Sequence, residues 1–148
     1  KGFKADDFAR THPAGALGRK LLIKVSDIMK TNDDLPKILL ESSVMEALVI
    51  MSAKRMGMTC IIDNNNKAVG ILTDGDLRRV IARGVNIQKA KVKDIMSQGA
   101  RTISANSLAS EAALIMETKR INHLLIVNNN NELHGAIGIH DLLEAKVL

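Results

Sequence analysis

The chain has 148 residues, which suits one compact domain or two small ones. Hydrophobic residues make up 46% and charged residues 25%, and no stretch reaches the roughly 18 apolar residues that a membrane helix needs. The net charge of +5 favours anionic partners, but with aromatic residues at 1% the chain has no platform on which bases could stack. We therefore expect a small anionic ligand as partner, and neither nucleic acid nor a membrane.

The beginning of the chain, from Lys1 to Phe8, contains no apolar region of the signal-peptide type, and no Met precedes it. We interpret the chain as a piece of a longer cytoplasmic protein. Its single cysteine, Cys60, cannot form an intramolecular disulfide and lies in an apolar run, so we expect a buried thiol without a catalytic role.

An internal repeat organises the sequence. Val25–Met29 recurs 67 residues later as Val92–Met96, and the following matches recur at an offset of 65. These later matches are Glu46-Ala47 with Glu111-Ala112, Asn64–Asn66 with Asn129–Asn131, Gly70 with Gly135, and Asp76-Leu77 with Asp141-Leu142. One structural unit is therefore used twice, and the two copies differ by two residues in a connecting loop.

Each copy follows the order β-α-β-β-α. Ser43 and Glu46 form a capping-box pattern at the start of a helix, and apolar residues at helical spacing continue it to about Arg55. The predicted elements of the first copy are strands at 38–40, 58–62 and 68–72 and helices at 43–55 and from 76; those of the second are strands at 102–103, 123–127 and 133–137 and helices at 109–119 and from 141. Asp/Asn clusters mark the hairpin turns.

A unit of this size buries too little surface to be stable alone, so we expect the two copies to pack their sheets together as a pseudo-twofold pair. The predicted fold class is α+β, with one module at 25–84, a second at 85–148, and a preceding segment at 1–24 that lies outside the repeat. Four methionines are expected to fill the shared core: Met45, Met51, Met56 and Met116.

The segment Gly70–Arg79 is the strongest candidate for a binding site. We predict a strand ending at Thr73, a tight turn at Gly75 and a helix beginning at Asp76, whose free N–H groups would suit a phosphate. The Thr73 hydroxyl, the Asp76 carboxylate and the positive charges of Arg78 and Arg79 could together hold a ribose phosphate. The residues alone leave a second interpretation open, in which Asp76 only caps its helix and Thr73 only ends its strand.

The pattern G-h-h-T-x-x-D-h (h, apolar), with its Asp-Ile-Met entry and its duplicated β-α-β-β-α unit, resembles the CBS domain over about residues 20–148. The resemblance implies a regulatory or oligomerising pair that binds adenine nucleotides or similar effectors in clefts between the copies, and that stacks as a homodimer. The resemblance implies that Thr73 and Asp76 hold the phosphate and the ribose of the ligand, and that Met58 and Thr59 contact its base.

The second copy departs from this pattern. Gly138 stands where the motif has Thr and His140 replaces the turn glycine, whereas Asp141 is retained. We therefore expect two unequal clefts, with His123 and His140 lining the second. The spacing of the histidines matches no common metal site, so no metal is predicted.

The segment from Phe8 to Leu22, with its His12-Pro13 pair, resembles the connection between the sugar isomerase (SIS) domain and the CBS pair in bacterial D-arabinose 5-phosphate isomerases. The resemblance implies a parent enzyme, tetrameric and with its SIS domain in the same chain, that interconverts D-ribulose 5-phosphate and D-arabinose 5-phosphate on the path to Kdo and lipopolysaccharide. In such a parent His12 would belong to the active site, and the present chain alone would be inactive.

Two hypotheses follow. The first is a regulatory module that requires no cofactor and responds to AMP, ATP or the sugar nucleotide CMP-Kdo. The second is a structural module that assembles subunits and binds nothing. A freestanding enzyme has no support, because no nucleophile–base pair or paired carboxylates stand out in the sequence.

Overall fold

The computed structural model describes residues 21–148. The helices are α1 (Val25–Ile28), α2 (Val44–Lys54), α3 (Asp74–Ala82), α4 (Val92–Ile95), α5 (Ala109–Lys119) and α6 (Ile139–Glu144), with a 3₁₀ turn at Asn32–Asp34. The strands are β1 (Lys37–Leu39), β2 (Met58–Ile62), β3 (Ala68–Thr73), β4 (Thr102–Ile103), β5 (His123–Val127) and β6 (Leu133–Gly138).

The strands form two three-stranded sheets of the same topology, ordered β1-β2-β3 and β4-β5-β6. In each sheet the first pair is parallel and the second is an antiparallel hairpin. A parallel pair needs a crossover connection, and α2 and α5 supply it. The α+β class and the duplicated β-α-β-β-α order predicted from the sequence are confirmed.

Helix α2 shows why the local sequence folds as it does. The Ser43 hydroxyl accepts a hydrogen bond from the Glu46 N–H at 3.1 Å, and the Glu46 carboxylate accepts one from the Ser43 N–H at 2.9 Å. These two bonds satisfy free N–H groups at the helix start. The helix ends at Arg55, which adopts a left-handed conformation with φ of 59°.

The buried face of α2 carries Val44, Ala47 and Met51, which share one side of the helix. The expectation that Met45 also fills the core is wrong, because this side chain is 42% exposed. It lies beside Val49, four residues on, along the opposite face. The other three methionines predicted in the core are buried: Met51, Met56 and Met116.

A central apolar cluster joins the two copies. Met58 and Cys60 of β2 are fully buried there with Leu125 of β5 and Ala136 of β6. Each copy also has a cluster between its own sheet and helices. The sheets therefore pack against each other as predicted, and β2 and β5 are the strands with the most central position.

The short helices α1 and α4 are exchanged between the copies. Val25 of α1 donates its N–H to the Ser107 carbonyl at 2.8 Å and is buried in the core of the second copy. Val92 of α4 donates to the Ser42 carbonyl at 2.9 Å and is buried in the core of the first copy. The segment around α1 therefore completes the core of the second copy, and the segment around α4 completes the core of the first copy.

The hairpin tips also meet in a pseudo-twofold arrangement. The Asn66 side-chain amide donates to the Leu133 carbonyl at 3.0 Å, and the Asn131 amide donates to the Ala68 carbonyl at 2.9 Å. Both asparagines have a φ of 63°, in the left-handed region that Asn tolerates better than most residues. The repeated Asn clusters therefore form the turns and also connect the copies.

Candidate functional site

A cleft of about 680 Å³, which we call the first cleft, lies between the two copies. It lies within the range of about 300–1,000 Å³ that is usual for small-molecule sites. One wall is the β3–α3 corner with Thr73, Asp76, Arg78 and Arg79. The other walls are the loop 97–101, the segment 120–123 and residues 139–140.

The β3–α3 corner is a second capping box. The Thr73 hydroxyl accepts a hydrogen bond from the Asp76 N–H at 3.1 Å, and Asp76 Oδ2 accepts one from the Thr73 N–H at 2.9 Å. Thr73 is therefore the N-cap and α3 begins at Asp74, so the expectations of a turn at Gly75 and a helix start at Asp76 are wrong. The alternative role of Asp76 as a helix cap is present, because its carboxylate accepts a hydrogen bond from the Thr73 N–H three residues earlier.

The second oxygen of Asp76 is also engaged. Oδ1 accepts hydrogen bonds from the Ser97 hydroxyl at 2.9 Å and from Arg79 Nη2 at 2.6 Å. Burial acts to raise the pKa of Asp76, but the hydrogen bonds from Thr73, Ser97 and Arg79 outweigh it and hold this pKa below its usual value. Asp76 is thus a charged carboxylate, 6% exposed, at the edge of the first cleft.

Cations outnumber anions along the first cleft. Four guanidinium groups line it, from Arg78, Arg79, Arg101 and Arg120, against two carboxylates, from Asp74 and Asp76. All four arginines are exposed, so their charges can reach a ligand. The electrostatics of the first cleft therefore favour an anion.

His123 and His140 lie in a wall that both clefts share, together with Met56 and Ile139. Nε2 of His123 lies 2.6 Å from the Met56 carbonyl oxygen. A carbonyl can only accept, so Nε2 carries the proton of this bond. Burial lowers the pKa of His123, whereas its bond to Met56 acts in the opposite direction. We therefore treat His123 as a neutral wall residue, and His140 is exposed beside it.

The second cleft, around the β6–α6 corner, holds about 190 Å³. Gly138 provides no hydroxyl there, although its N–H still donates to Asp141 Oδ2 at 2.8 Å. Oδ1 of Asp141 forms an ion pair with Lys30 at 3.2 Å. This volume falls below the usual range for a drug-sized ligand, and the two clefts differ in chemistry as well as in size.

Met58 and Thr59 are not among the residues that line either cleft. Both side chains are fully buried, and Met58 belongs to the central cluster between the sheets. The hydroxyl of Thr59 has no hydrogen-bond partner among the described residues. Met56 and Gly57, the two residues immediately before Met58, line the first cleft instead.

Sequence reasoning missed the loop 97–101 and Arg120 as parts of the first cleft. The repeat could have indicated Arg120, since it follows α5 as Arg55 follows α2 and Arg55 lines the second cleft. The loop gave no such signal, because it reaches the cleft only through its pairing with β3. The candidate catalytic residue His12 lies outside the described residues.

Between residues 21 and 148, no group of three or more His, Cys, Asp or Glu side chains is placed to hold a metal ion. Over the same range no helix has the length and apolar character that crossing a membrane requires.

The whole chain is similar in sequence to part of known bacterial enzymes. The chain is 44% identical over 148 residues to the arabinose 5-phosphate isomerase KdsD of Pseudomonas aeruginosa, and 42% identical to the same enzyme of Escherichia coli K12. It spans 45% of the length of each relative, which is less than half.

Among solved structures, PAE2072 of Pyrobaculum aerophilum, a CBS domain protein complexed with AMP, has a TM-score of 0.72 at 21% identity over 85% of this chain and 100% of that one. The CBS domain pair of MJ0100, in complex with 5′-methylthioadenosine and S-adenosyl-L-methionine, has a TM-score of 0.73 at 22% identity, covering 83% and 94%. The family model of the CBS domain matches residues 25–83 and 92–148, one match to each copy. The chain therefore belongs to the CBS-domain family.

Proposed function

We propose that the chain is the regulatory module of a D-arabinose 5-phosphate isomerase and that its first cleft binds a nucleotide or sugar nucleotide. The observation that carries this proposal is the cavity of about 680 Å³ that four guanidinium groups line, two from the β3–α3 corner and two from the other walls. The parent would interconvert D-ribulose 5-phosphate and D-arabinose 5-phosphate in the cytoplasm, in a SIS domain of the same chain. His12 would act in that active site, with no required cofactor.

The corner offers a suitable contact for each part of such a ligand. The Thr73 oxygen already accepts from the Asp76 N–H, so its own proton is available for a phosphate oxygen. Arg78 adds a positive charge on the exposed side of α3, and Asp76 is ionised and can accept hydrogen bonds from sugar hydroxyls. We do not propose the side chains of Met58 and Thr59 as base contacts, because both are fully buried.

Adenine nucleotides are the first candidate effectors, because PAE2072 is complexed with AMP and MJ0100 with two adenosine derivatives. CMP-Kdo is the second candidate. It is a nucleotide that carries an acidic sugar, so its two anionic groups would suit a cleft with four arginines and two aspartates. An end product of the parent's pathway would be expected to inhibit the isomerase.

A thermal-shift panel of AMP, ATP, CMP and CMP-Kdo tests the proposal on this chain. A ligand present at 100 times its Kd stabilises the folded state by about 2.7 kcal/mol, which corresponds to a rise in Tm of roughly 5–10 °C for a chain of this size. The absence of any shift at millimolar concentrations of all four ligands would contradict it.

A matched pair of variants locates the response. Asp76→Asn keeps the shape of the β3–α3 corner but removes the charge that accepts sugar hydroxyls, so it should lose most of the thermal shift. Asp141→Asn makes the same change in the second cleft and should retain the shift. Equal loss in both variants would place the ligand elsewhere.

A structural role in subunit assembly is the second candidate function, and exposed apolar side chains on the long helices favour it. Val49 on α2 is 69% exposed and Leu114 on α5 is 64% exposed. We propose that such faces pair two copies of the chain into a homodimer, within a parent that is a tetramer. Val49→Glu and Leu114→Glu should then reduce the mass measured by light scattering to that of a monomer, and an unchanged mass would exclude these faces as the contact.

A further inference from the structure

The Arg79 side chain is folded back over the beginning of its own helix. Its Nη2 lies 2.6 Å from Asp76 Oδ1, and a Cβ atom at Gly75 would lie only 3.3 Å from its Nη1. Because Gly75 has no side chain, the guanidinium group can lie against the first turn of α3. Arg79 is nevertheless 63% exposed and lines the first cleft, so its charge is open to a ligand.

Asp76 accepts hydrogen bonds from three donors, which differ in how firmly each is held. The Thr73 N–H is part of the capping box, and the peptide of Ser97 is fixed by reciprocal bonds with Ile71 at 2.9 and 2.8 Å. Arg79, by contrast, reaches Asp76 through a long and mostly exposed side chain. Only the Arg79 side of this ion pair is exposed, so rotation of the Arg79 side chain can bring its guanidinium group to another anion. Arg79 is therefore the donor that a ligand can displace.

We infer that Arg79 couples recognition of the phosphate to recognition of the sugar in the first cleft. A phosphate draws the guanidinium group away from Asp76, because a bidentate bond to phosphate is strong. Asp76 Oδ1 then becomes available to accept hydrogen bonds from the sugar hydroxyls. While Arg79 is bonded to it, Oδ1 can accept such bonds only weakly. Arg79 is therefore a specificity-determining residue that favours ligands carrying both groups. This inference rests on the proposed function, since it needs a nucleotide in the first cleft.

The second copy lacks each part of this arrangement. Glu144 stands at the position of Arg79, and His140 stands at that of Gly75. Lys30 stands at the position of Ser97 and itself pairs with Asp141 at 3.2 Å. The coupling is therefore confined to the first cleft, and we expect one nucleotide for each chain.

Isothermal titration at fixed ionic strength tests the coupling with four probes, namely AMP, 2′-deoxy-AMP, adenosine and 2′-deoxyadenosine, and with the four matching cytosine compounds. In the wild-type chain, removal of the 2′-hydroxyl should weaken binding about tenfold when the phosphate is present and no more than about threefold when it is absent. The hydroxyl contributes fully only after the phosphate has removed Arg79 from Asp76.

Arg79→Ala removes both the anion contact and the competitor for Asp76. AMP should therefore bind about tenfold more weakly, adenosine should bind at least as tightly as to the wild type, and the effect of the 2′-hydroxyl should no longer depend on the phosphate. Arg79→Gln is a second variant, which removes the charge but keeps a long side chain on α3. Arg83→Ala is the matched control, because it removes the same charge from the end of α3 at a position outside the lining of the first cleft.

The possible results separate the inference from the proposed function. If the wild-type chain binds none of the eight compounds, the role of Arg79 is overturned, and the proposed function is overturned with it when ATP and CMP-Kdo also fail to bind. If it binds a nucleotide but Arg79→Ala binds the same nucleotide equally well, or binds the nucleoside more weakly than the wild type does, only the role of Arg79 is overturned. If Arg83→Ala lost as much affinity for AMP as Arg79→Ala does, the net charge of the chain would explain the loss. That result would also overturn the role of Arg79.

Discussion

Gly70 allows two backbones to approach each other closely beside the first cleft, and its substitution should be costly. A Cβ atom at Gly70 would lie 2.9 Å from the Ser97 carbonyl oxygen and 2.7 Å from the sulfur of Met96. The sulfur is the end of a flexible side chain and can move. The carbonyl cannot move as easily, because the Ile71 N–H donates to it at 2.9 Å and Ser97 donates back to Ile71 at 2.8 Å.

Gly70→Ala therefore forces either a compressed contact or the loss of this pairing. Overpacking typically costs about 1–3 kcal/mol, and each backbone hydrogen bond that is lost costs about 1 kcal/mol more. We expect a free energy of unfolding lower by about 2–3 kcal/mol, which corresponds to a fall in Tm of roughly 5–10 °C. Urea denaturation and differential scanning calorimetry of the 148-residue chain measure both quantities.

Gly75→Ala is the matched control, because it makes the same chemical change at the start of α3. The new methyl group would lie 3.3 Å from the end of the flexible Arg79 side chain and in ordinary contact, at 3.6 Å, with the Thr73 hydroxyl oxygen. Ala is favoured over Gly within helices by up to about 1 kcal/mol. Its Tm should equal or exceed that of the wild type. If Gly70→Ala melts within about 2 °C of the wild type, the close approach between Gly70 and Ser97 is refuted as the cause.

Three further predictions concern single residues. Hydrogen bonds lower the pKa of Asp76, so the stability that they contribute is present above the usual carboxyl pKa of about 4 and is lost below it, as the pH falls through the lower pKa of the folded state. Asp76→Asn should be less stable at neutral pH and should show a flatter loss between about pH 5 and pH 2 in urea titrations. Burial raises the pKa of Cys60 to about 12, so a thiol reagent at pH 8 should label the chain only after denaturation, and rapid native labelling would contradict this position. Asn66→Gly loses the bond to the Leu133 carbonyl but tolerates the positive φ, so it should cost about 1 kcal/mol, whereas Asn66→Ala adds conformational strain and should cost about 2 kcal/mol in chemical denaturation.

Much of the fold could be predicted because each element carries a local signal. The capping box at Ser43 fixed the start of α2, and the repeat transferred its bounds to α5, which spans Ala109–Lys119 as predicted. The same capping-box pattern is present at Thr73 and Asp76, but Gly75 between them also suits a turn. The predicted start of α3 at Asp76 is therefore two residues too late.

The candidate site was less predictable because it is built from contacts between distant segments. Ser97 reaches Asp76 only because β3 pairs with the residues that follow α4, and no local pattern around Ser97 indicates a binding site. The exchange of α1 and α4 between the copies has the same character. A helix of one turn that precedes a module is naturally assigned to that module, yet the burial of Val25 and Val92 depends on the opposite core.

The two copies keep the same backbone contacts at the strand-to-helix corner but carry different side chains where a ligand would be held, and this combination favours a binding role over a purely structural one. The paired glycines Gly70 and Gly135 meet the same neighbours, since each would clash with a carbonyl 2.9 Å away and with a methionine sulfur. The carboxylates of Asp76 and Asp141 likewise accept the N–H group three residues before them. A purely structural module would have no reason to keep these positions alike while the arginine pair at 78–79 is matched by leucine and glutamate at 143–144. A ligand-binding module has such a reason if the first cleft binds an anion and the pair of Lys30 and Asp141 occupies the corresponding corner of the second.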